Sequence, residues 1–289
     1  MIQRDQGRSP ATKGVEKMRK KRKILEIILV LMLTLGGKGE GSPLQLDADS
    51  LNYDPSMQKV LAQGHVTLRQ GESIMTAKTA ECRTDGSVFV LRGAVSADLK
   101  EEKITLGSEE VLYYAGDKGR LVASGDVILR RGRDAMSCDV VVWRFGPVPS
   151  YHARGRVHLA WEEKHLWAKT VSRDGEIFRT SDLERFEDKK QGMTLLAPEL
   201  EGRFEGDEVV EVVTSGGVRL ELRRRDKTVV VTGAKGIYST KRGTLVVSGG
   251  ATAKQEGRSV RAESLVLRLD TGRIEALGKP QVVFPISKP

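Results

Sequence analysis

The sequence is poor in aromatic residues and in long apolar runs. Aromatic side chains make up 5% of the 289 residues, so a core has to be built mainly from aliphatic side chains. The chain lacks the several apolar runs of about 20 residues that a polytopic membrane protein needs, which excludes that class. Valine, leucine and isoleucine are nevertheless plentiful, which argues against a disordered chain.

Cysteine and histidine are also scarce. The two cysteines, Cys82 and Cys138, fit either two small buried residues or one disulfide, and two buried thiols are favoured. The four histidines do not have metal-ligand spacing with cysteine or aspartate partners. We therefore expect no metal site and no cofactor.

Positive charge is concentrated at one end of the chain. The formal net charge is +9, but nine basic residues lie within the first 23 positions against only Asp5 and Glu16. Residues 44–289 carry about +3, with basic and acidic residues interspersed. A nucleic-acid interface needs a clustered excess of positive charge, so we expect no nucleic-acid partner.

The amino-terminal segment has the composition of an export signal. A basic run at 18–23 precedes an apolar stretch at 24–35, and small residues follow at 36–42. This order is typical of secretory signal peptides, and the apolar stretch is short for a membrane span. An inner-membrane anchor formed by residues 24–35 remains the alternative. We predict that residues 1–43 are a signal peptide or a membrane anchor.

Two short patterns repeat along the rest of the chain with a period of about 30 residues. In the first, a small residue is followed by an apolar residue three positions later, as at Ser108 and Val111. The second reads apolar-x-small-x-Gly-x-Val-x-Leu, as in residues 60–68. The glycine follows the small residue of the first pattern by 16 to 19 positions in all seven copies of the second pattern. A fixed period of this kind indicates a repeat architecture.

Both patterns alternate with the period of a β-strand, so each sheet should have one apolar and one polar face. A glycine in mid-strand permits a sharp bend or a close backbone approach. The predicted bend glycines are Gly64, Gly93, Gly125, Gly155, Gly216, Gly249 and Gly278. The side chains predicted to line a shared apolar groove are Val60, Ala62, Val66, Leu68, Phe89, Leu91, Val95, Leu121, Ala123, Val127, Leu129, Val157, Leu159, Val212, Val218, Leu220, Leu245 and Val247.

These observations predict an all-β, elongated, rolled stack of antiparallel sheets, solenoid-like, with helix only in the leader. Eight units at one strand spacing each would rise roughly 38 Å and supply roughly 16 to 24 strands. The repeat fails over residues 172–192, where charged residues dominate. We therefore divide the body into a first half at 44–171, a charged seam at 172–192 and a second half at 193–289.

The repeat resembles a known family at its amino-terminal copy. Residues 47–54 (DADSLNYD) and 60–68 (VLAQGHVTL) are similar to the opening of the OstA domain, the LptA-like lipopolysaccharide-transport family. The resemblance implies a rolled β-jellyroll in the periplasm that holds acyl chains in an apolar groove. It further implies head-to-tail homo-oligomers and contacts with other transport components. The chain is longer than the single-domain bridge protein of that family, and a retained anchor would make it more like the membrane-tethered component.

The expected function is therefore a non-enzymatic lipid bridge that carries lipopolysaccharide, or a related acylated lipid, between the inner and outer membranes. On the residues alone, a dry packed core and an apolar slot are about equally expected. One alternative is a β-solenoid with a structural or surface role. A polysaccharide-acting enzyme is the other, although stacked acidic residues across consecutive units are not evident.

Overall fold

A computed structural model describes residues 43–285 except 101–102, 116–118, 145–147, 149, 206–207 and 225–226. This part of the chain forms 21 β-strands in one antiparallel sheet system and contains no helix. The all-β prediction is confirmed, and the strand count lies within the expected range. The predicted signal or anchor segment lies outside the described residues. No helix in the described ranges is long and apolar enough to cross a membrane.

The strands follow one another closely along the chain. They are β1 Gln45–Asp47, β2 Ser50–Asp54, β3 Lys59–Gln70, β4 Ser73–Arg83, β5 Val88–Leu99, β6 Ile104–Tyr114, β7 Arg120–Arg131, β8 Asp134–Arg144, β9 Ser150–Trp161, β10 Lys164–Asp174, β11 Ile177–Asp188, β12 Met193–Leu196, β13 Glu199–Glu205, β14 Glu208–Ser215, β15 Val218–Arg224, β16 Lys227–Gly233, β17 Lys235–Ser239, β18 Thr244–Gln255, β19 Arg258–Arg268, β20 Ile274–Leu277 and β21 Gln281–Val283. From β3 to β11 each strand pairs with the next, so the long strands form a continuous meander.

Each long hairpin bends at a β-bulge in its middle. In β3, Gly64 and His65 both have positive φ (76° and 44°), and the register with β4 shifts between Gln63 and Val66. Two residues of β3 thus face the single residue Lys78 of β4. A bulge of this kind leaves one residue unpaired and turns the strand sharply. Equivalent register shifts contain Gly93, Gly125, Gly155 and Gly249, whereas Gly216 and Gly278 lie between separate strands.

The bulge also explains the three-residue step in the returning strands. In β8, Cys138 and Val141 are both buried although three positions separate them. A straight strand would place them on opposite faces. At the bulge, β8 has one residue where β7 has two. The buried side chains of β8 therefore switch from even-numbered to odd-numbered positions there. The first sequence pattern therefore marks the bend in the returning strand, just as the glycine marks it in the outgoing strand.

The bends divide the sheet system into two layers. The first layer contains five whole strands, β2, β13, β14, β17 and β20. It also contains the part before the bend in β3, β5, β7, β9, β11 and β18, and the part after the bend in β4, β6, β8, β10 and β19. The second layer contains the whole strands β1, β12, β15, β16 and β21 together with the other part of each bent strand. Buried side chains from both layers belong to one core cluster, so the layers pack face to face.

The connectivity changes after β11. This strand pairs with β13 through Ile177–Ser181 and with β12 through Phe186–Asp188. Beyond it, most segments of the two layers are separate short strands rather than arms of one bent strand. The charged segment 172–192 contains all of β11, which is paired on both sides. Asp182 has φ 48° there and takes the left-handed conformation without a glycine, as aspartate more readily can.

The stack is longer than the sequence estimate. Each hairpin unit contributes two strand segments to each layer, so it adds two strand spacings, or about 9.6 Å. The value of roughly 38 Å counted only one spacing for each unit. The predicted rise is therefore too short by about a factor of two.

Candidate functional site

The predicted groove residues all belong to the interior between the two layers. Val60 and Val212 are half-buried, and the other sixteen are buried. All of them lie in or against one hydrophobic core cluster. The bulges keep the inward faces of consecutive hairpins in line, so the aliphatic side chains form one continuous interior. The closeness of packing in this interior differs between the two ends of the stack.

The interior is closely packed in the first half. A void there measures only about 10 Å³ and is bounded by Leu121 and Leu129 among the predicted residues. Residues such as Val66, Val127 and Val141 have no exposed surface. A volume of 10 Å³ is at the lower limit for a single water molecule, so this part of the interior is filled by side chains.

A larger cavity of about 90 Å³ lies between the layers where β9, β10 and β11 meet the strands of the second half. From the second layer it is lined by Trp161, Lys164, Leu166, Phe186, Asp188, Met193, Leu195 and Leu220, and by Gln191 of the connecting turn. The first layer contributes Phe178, Leu200, Gly202, Val209, Val212, Thr214, Gly236 and Tyr238, with Thr240, Leu245 and Leu269. Of the predicted groove residues, only Val212, Leu220 and Leu245 line it. The lining is otherwise mostly aliphatic and aromatic.

Small residues at inward positions create this space. Gly202 of β13 faces Val212 of β14, and Thr214 of β14 faces Gly236 of β17. A Cβ atom on Gly202 would make only ordinary contacts, the nearest being 3.7 Å from Phe178 Cδ1. Glycine is therefore not required at 202 by a close approach, and its missing side chain leaves room beside Phe178.

One end of the cavity lies at the tips of the strands, away from the bends. Lys164 begins β10 and Asp188 ends β11, directly opposite each other in the register. Both are almost fully buried, and Lys164 Nζ lies 3.3 Å from Glu162 Oε2. Across the opening, Tyr238 belongs to the first layer; burial, and secondarily the charge of Asp188, raises its pKa to about 12. Charged groups are thus confined to the mouth of an apolar cavity.

Most of the polar groups that line the cavity have partners. Thr214 Oγ1 accepts a hydrogen bond from Gly236 N at 3.0 Å, and Thr240 Oγ1 donates to the Val209 carbonyl oxygen at 2.7 Å. Asp188 Oδ1 accepts from Gln191 N at 3.0 Å. Trp161 differs: its Nε1 is buried and has no hydrogen-bond partner among the described residues.

The outer face of the same strand arms carries a stacked cluster, formed by His158, His165, Trp167 and Arg185. His158 Nε2 lies 3.1 Å from His165 Nδ1, and the His158 ring stacks on Trp167 with centroids 4.7 Å apart. The Arg185 guanidinium covers the same indole at 4.1 Å from the ring centroid. Burial lowers the pKa of His158, and the charges of His165 and Arg185 lower it further. Two of the four histidines are therefore packed together on this face.

The two cysteines lie in the hydrophobic core of the described structure. Cys82 and Cys138 are buried free thiols, and burial raises the pKa of Cys138 to about 12. Across the described ranges, no group of three or more His, Cys, Asp or Glu side chains could hold a metal ion.

Sequence reasoning missed most of the cavity lining. Phe178, Phe186 and Leu195 lie in or beside the segment where the repeat fails, so the pattern did not select them. A signal was present in Gly202 and Gly236, which put glycine at inward positions where other copies have larger residues such as Trp143 and Val141.

Comparison with known proteins finds likenesses among solved structures. No family model matches the sequence. No curated protein matches it either. Among solved structures, the chain is similar to "LptH, the LptA homologous periplasmic component of the conserved lipopolysaccharide transport device from Pseudomonas aeruginosa". The identity is 10%, the TM-score is 0.21, and the match covers 85% of this chain and 96% of that chain. Values this low transfer neither a function nor site residues.

Proposed function

We propose that this protein is a non-enzymatic periplasmic carrier that holds the acyl chains of lipopolysaccharide, or of a related acylated lipid, between its two layers. The observation that carries the proposal is the apolar cavity of about 90 Å³ between β11 and the strands of the second half. Burial of acyl chains contributes about 0.8 kcal/mol for each methylene group, so an interior of this chemistry favours a lipid ligand. The sugar and phosphate groups of the lipid would remain in water at the strand tips.

The empty volume corresponds to only about three water molecules of liquid. An acyl chain therefore has to enlarge it by moving the layers apart. The second half is suited to this movement because its layers consist largely of separate strands joined by short connections. The first half would remain packed, since its layers are the two arms of continuous hydrogen-bonded strands.

The two ends of the stack support end-to-end contact. At the amino-terminal end Leu51 and Tyr53 of β2 are exposed, and at the other end Leu277 of β20 and Val282 of β21 are exposed. The outer edges of these strands have no strand partner within the described sheet. Exposed apolar side chains beside a free edge favour strand addition. We propose that copies join head to tail, and that the same edges meet other transport components.

The location rests on the sequence. The basic, apolar and small segments at 18–42 support export, and the OstA-like motifs support a periplasmic setting. Retention by residues 24–35 as an inner-membrane anchor is the alternative within the same proposal.

The direct test is lipid extraction and mass spectrometry of the full chain purified from a two-membrane bacterial host. We expect acylated lipid to co-purify, and the apolar dye 1-N-phenylnaphthylamine to bind the delipidated protein with increased fluorescence. Absence of both lipid and dye binding at micromolar protein concentration would refute the carrier function. A structural role for the stack would then be favoured.

A further inference from the structure

The strongest unexplained feature of the described chain is the indole N–H of Trp161. This residue ends β9, its side chain is 4% exposed, and it lines the cavity. The indole ring stacks against Phe186 with centroids 5.9 Å apart and 21° between the planes, which fixes its orientation. The Nε1 atom has no hydrogen-bond partner in the part of the chain that the structure describes.

A buried donor without an acceptor is unusual in a folded protein. Indole Nε1 can only donate a hydrogen bond, and leaving such a group unsatisfied is costly because it loses its hydrogen bond to water. Buried polar groups are normally paired, so each exception calls for an explanation, such as a ligand that supplies the acceptor. The threonines in the same lining already have protein partners. Among the described side chains that line the cavity, Trp161 is the one whose fully buried donor atom has no partner.

We infer that Trp161 Nε1 is a recognition group for a neutral oxygen on the acyl ligand, namely an ester or amide carbonyl or a hydroxyl group. This inference rests on the proposed lipid-carrier function and specifies the ligand that the cavity takes. Trp161 lies opposite Lys164 at the tip of the β9–β10 hairpin. An oxygen near the head of an acyl chain would therefore reach the indole while the chain extends toward Leu200 and Leu220.

The charges at the mouth favour a neutral oxygen over a carboxylate. Lys164 carries one positive charge, but Glu162 lies 3.3 Å from it and the buried Asp188 lies opposite it in the register. A carboxylate at this point would face two like charges and one opposite charge. Like charges at close range in a poorly solvated site repel strongly, so an ester should bind more tightly than the free acid of the same length.

The test uses the full chain, delipidated, with methyl octanoate, sodium octanoate and 1-N-phenylnaphthylamine as probes. The dye lacks an acceptor oxygen and therefore reports the apolar cavity alone. Trp161→Phe keeps a ring and removes the N–H group. We expect Trp161→Phe to weaken methyl octanoate binding about two- to thirteenfold, the equivalent of one hydrogen bond, beyond any change in the affinity for the dye, so the ratio of ester to dye affinity should fall by that factor. Octanoate should bind wild type more weakly than the ester.

A second measurement does not depend on the variant. The sequence has three tryptophans, so ¹⁵N-indole labelling gives three side-chain resonances, and the one missing from Trp161→Phe assigns Trp161. Methyl octanoate should shift the proton of this resonance downfield. If the variant binds ester and dye as wild type does and the resonance does not move, the inference is overturned while the carrier function stands. If wild type binds neither probe, the carrier function itself is overturned.

Discussion

The side chain of Asp139 occupies the space that a Cβ atom on Gly155 would need. Gly155 has φ 74° at the bulge of β9, and a methyl group there would overlap the Asp139 side chain as far back as its own Cβ atom. Asp139 Oδ1 also accepts a hydrogen bond of 2.8 Å from Arg156 Nε, the residue after the glycine. The bend therefore needs glycine for two reasons, the left-handed backbone and the contact with the neighbouring strand.

The two reasons can be separated by substitution. Gly132 has φ 59° in an open hairpin turn, where a Cβ would meet nothing within 4 Å. Gly132→Ala should cost only the backbone strain, about 1–2 kcal/mol. Gly155→Ala should cost more, and Gly155→Ala combined with Asp139→Gly should recover the excess. The free energies come from urea unfolding followed by circular dichroism. Equal costs for the two single variants would contradict the proposed contact.

The cavity can be filled from Gly202. Gly202→Leu places a side chain beside Phe178 and Val209, so dye and lipid binding should fall at least tenfold. Gly202→Ala is the matched control because its Cβ makes only ordinary contacts, and it should retain binding. Fluorescence titration with 1-N-phenylnaphthylamine measures both, and circular dichroism checks the β-structure. Unchanged binding in the leucine variant would place the ligand elsewhere.

The cysteines should be chemically inert in the folded protein. Cys138 is 4% exposed, and burial raises its pKa to about 12, so almost no thiolate is present at neutral pH. Since the thiolate is the reactive form, iodoacetamide at pH 8 should modify neither Cys82 nor Cys138 until urea unfolds the chain. Mass spectrometry of timed samples provides the readout. Rapid alkylation of native protein, or a Cys82–Cys138 disulfide after export, would show this expectation to be wrong.

The histidine cluster predicts a pH dependence of stability. The pKa of His158 is lowered in the folded state, chiefly by burial, so the unfolded chain binds a proton first as pH falls. Stability should therefore decrease from about pH 6.5 downward and level off below the folded pKa. His165, Arg185 and Glu187 face the same site.

Substitution tests the source of this pH dependence. His158→Gln should flatten the change in urea midpoint between pH 7 and pH 5. The exposed His152 on the same strand provides the control, because His152→Gln should leave the profile unaltered. The same slope in wild type and His158→Gln would rule out His158 as the group responsible.

The free ends predict concentration-dependent assembly. Leu51→Lys or Leu277→Lys introduces a charge at one end and should shift the full chain toward monomers. Ile128→Lys changes a similarly exposed residue in the middle of the stack (40% exposed) and should leave assembly unaffected. Sedimentation velocity over a range of protein concentrations distinguishes these results. Wild type that stays monomeric at high concentration would refute head-to-tail association.

The sequence was sufficient for the class of fold because its cues are local. The alternation of apolar and polar residues follows from the pleat of each strand. The left-handed conformation at the bulge restricts which residues fit there, so glycines such as Gly64 and Gly125 recur at the same position of successive repeats. The three-residue step at Cys138 and Val141 follows from the same bulge. The doubled rise of the stack was missed because each unit was counted as one strand segment for each layer.

The cavity could not be located in this way because it depends on contacts between distant strands. Gly202 and Gly236 leave space only because β13, β14 and β17 become neighbours after β11 divides, and the repeat pattern does not contain that change. The lack of a hydrogen-bond partner for Trp161 Nε1 likewise depends on which side chains lie within reach across the layers. Aliphatic patterning predicted an interior, but it did not distinguish a filled part from an open one.

The division of β11 between β12 and β13 has a mechanical consequence. In the strands that precede β11, separating the layers would strain the bulges. The strands that contain these bulges are hydrogen-bonded to a neighbouring strand on each side. Beyond β11, much of the load falls on the short connections between strands, such as Ala197–Pro198 and Gly216–Gly217. These are tied to neighbouring segments by backbone hydrogen bonds from Leu183 N to the Pro198 carbonyl oxygen and from Gly217 N to the Ala234 carbonyl oxygen. Under the proposed function, the layers would separate beside the cavity while the continuous hairpins before β11 keep their packing.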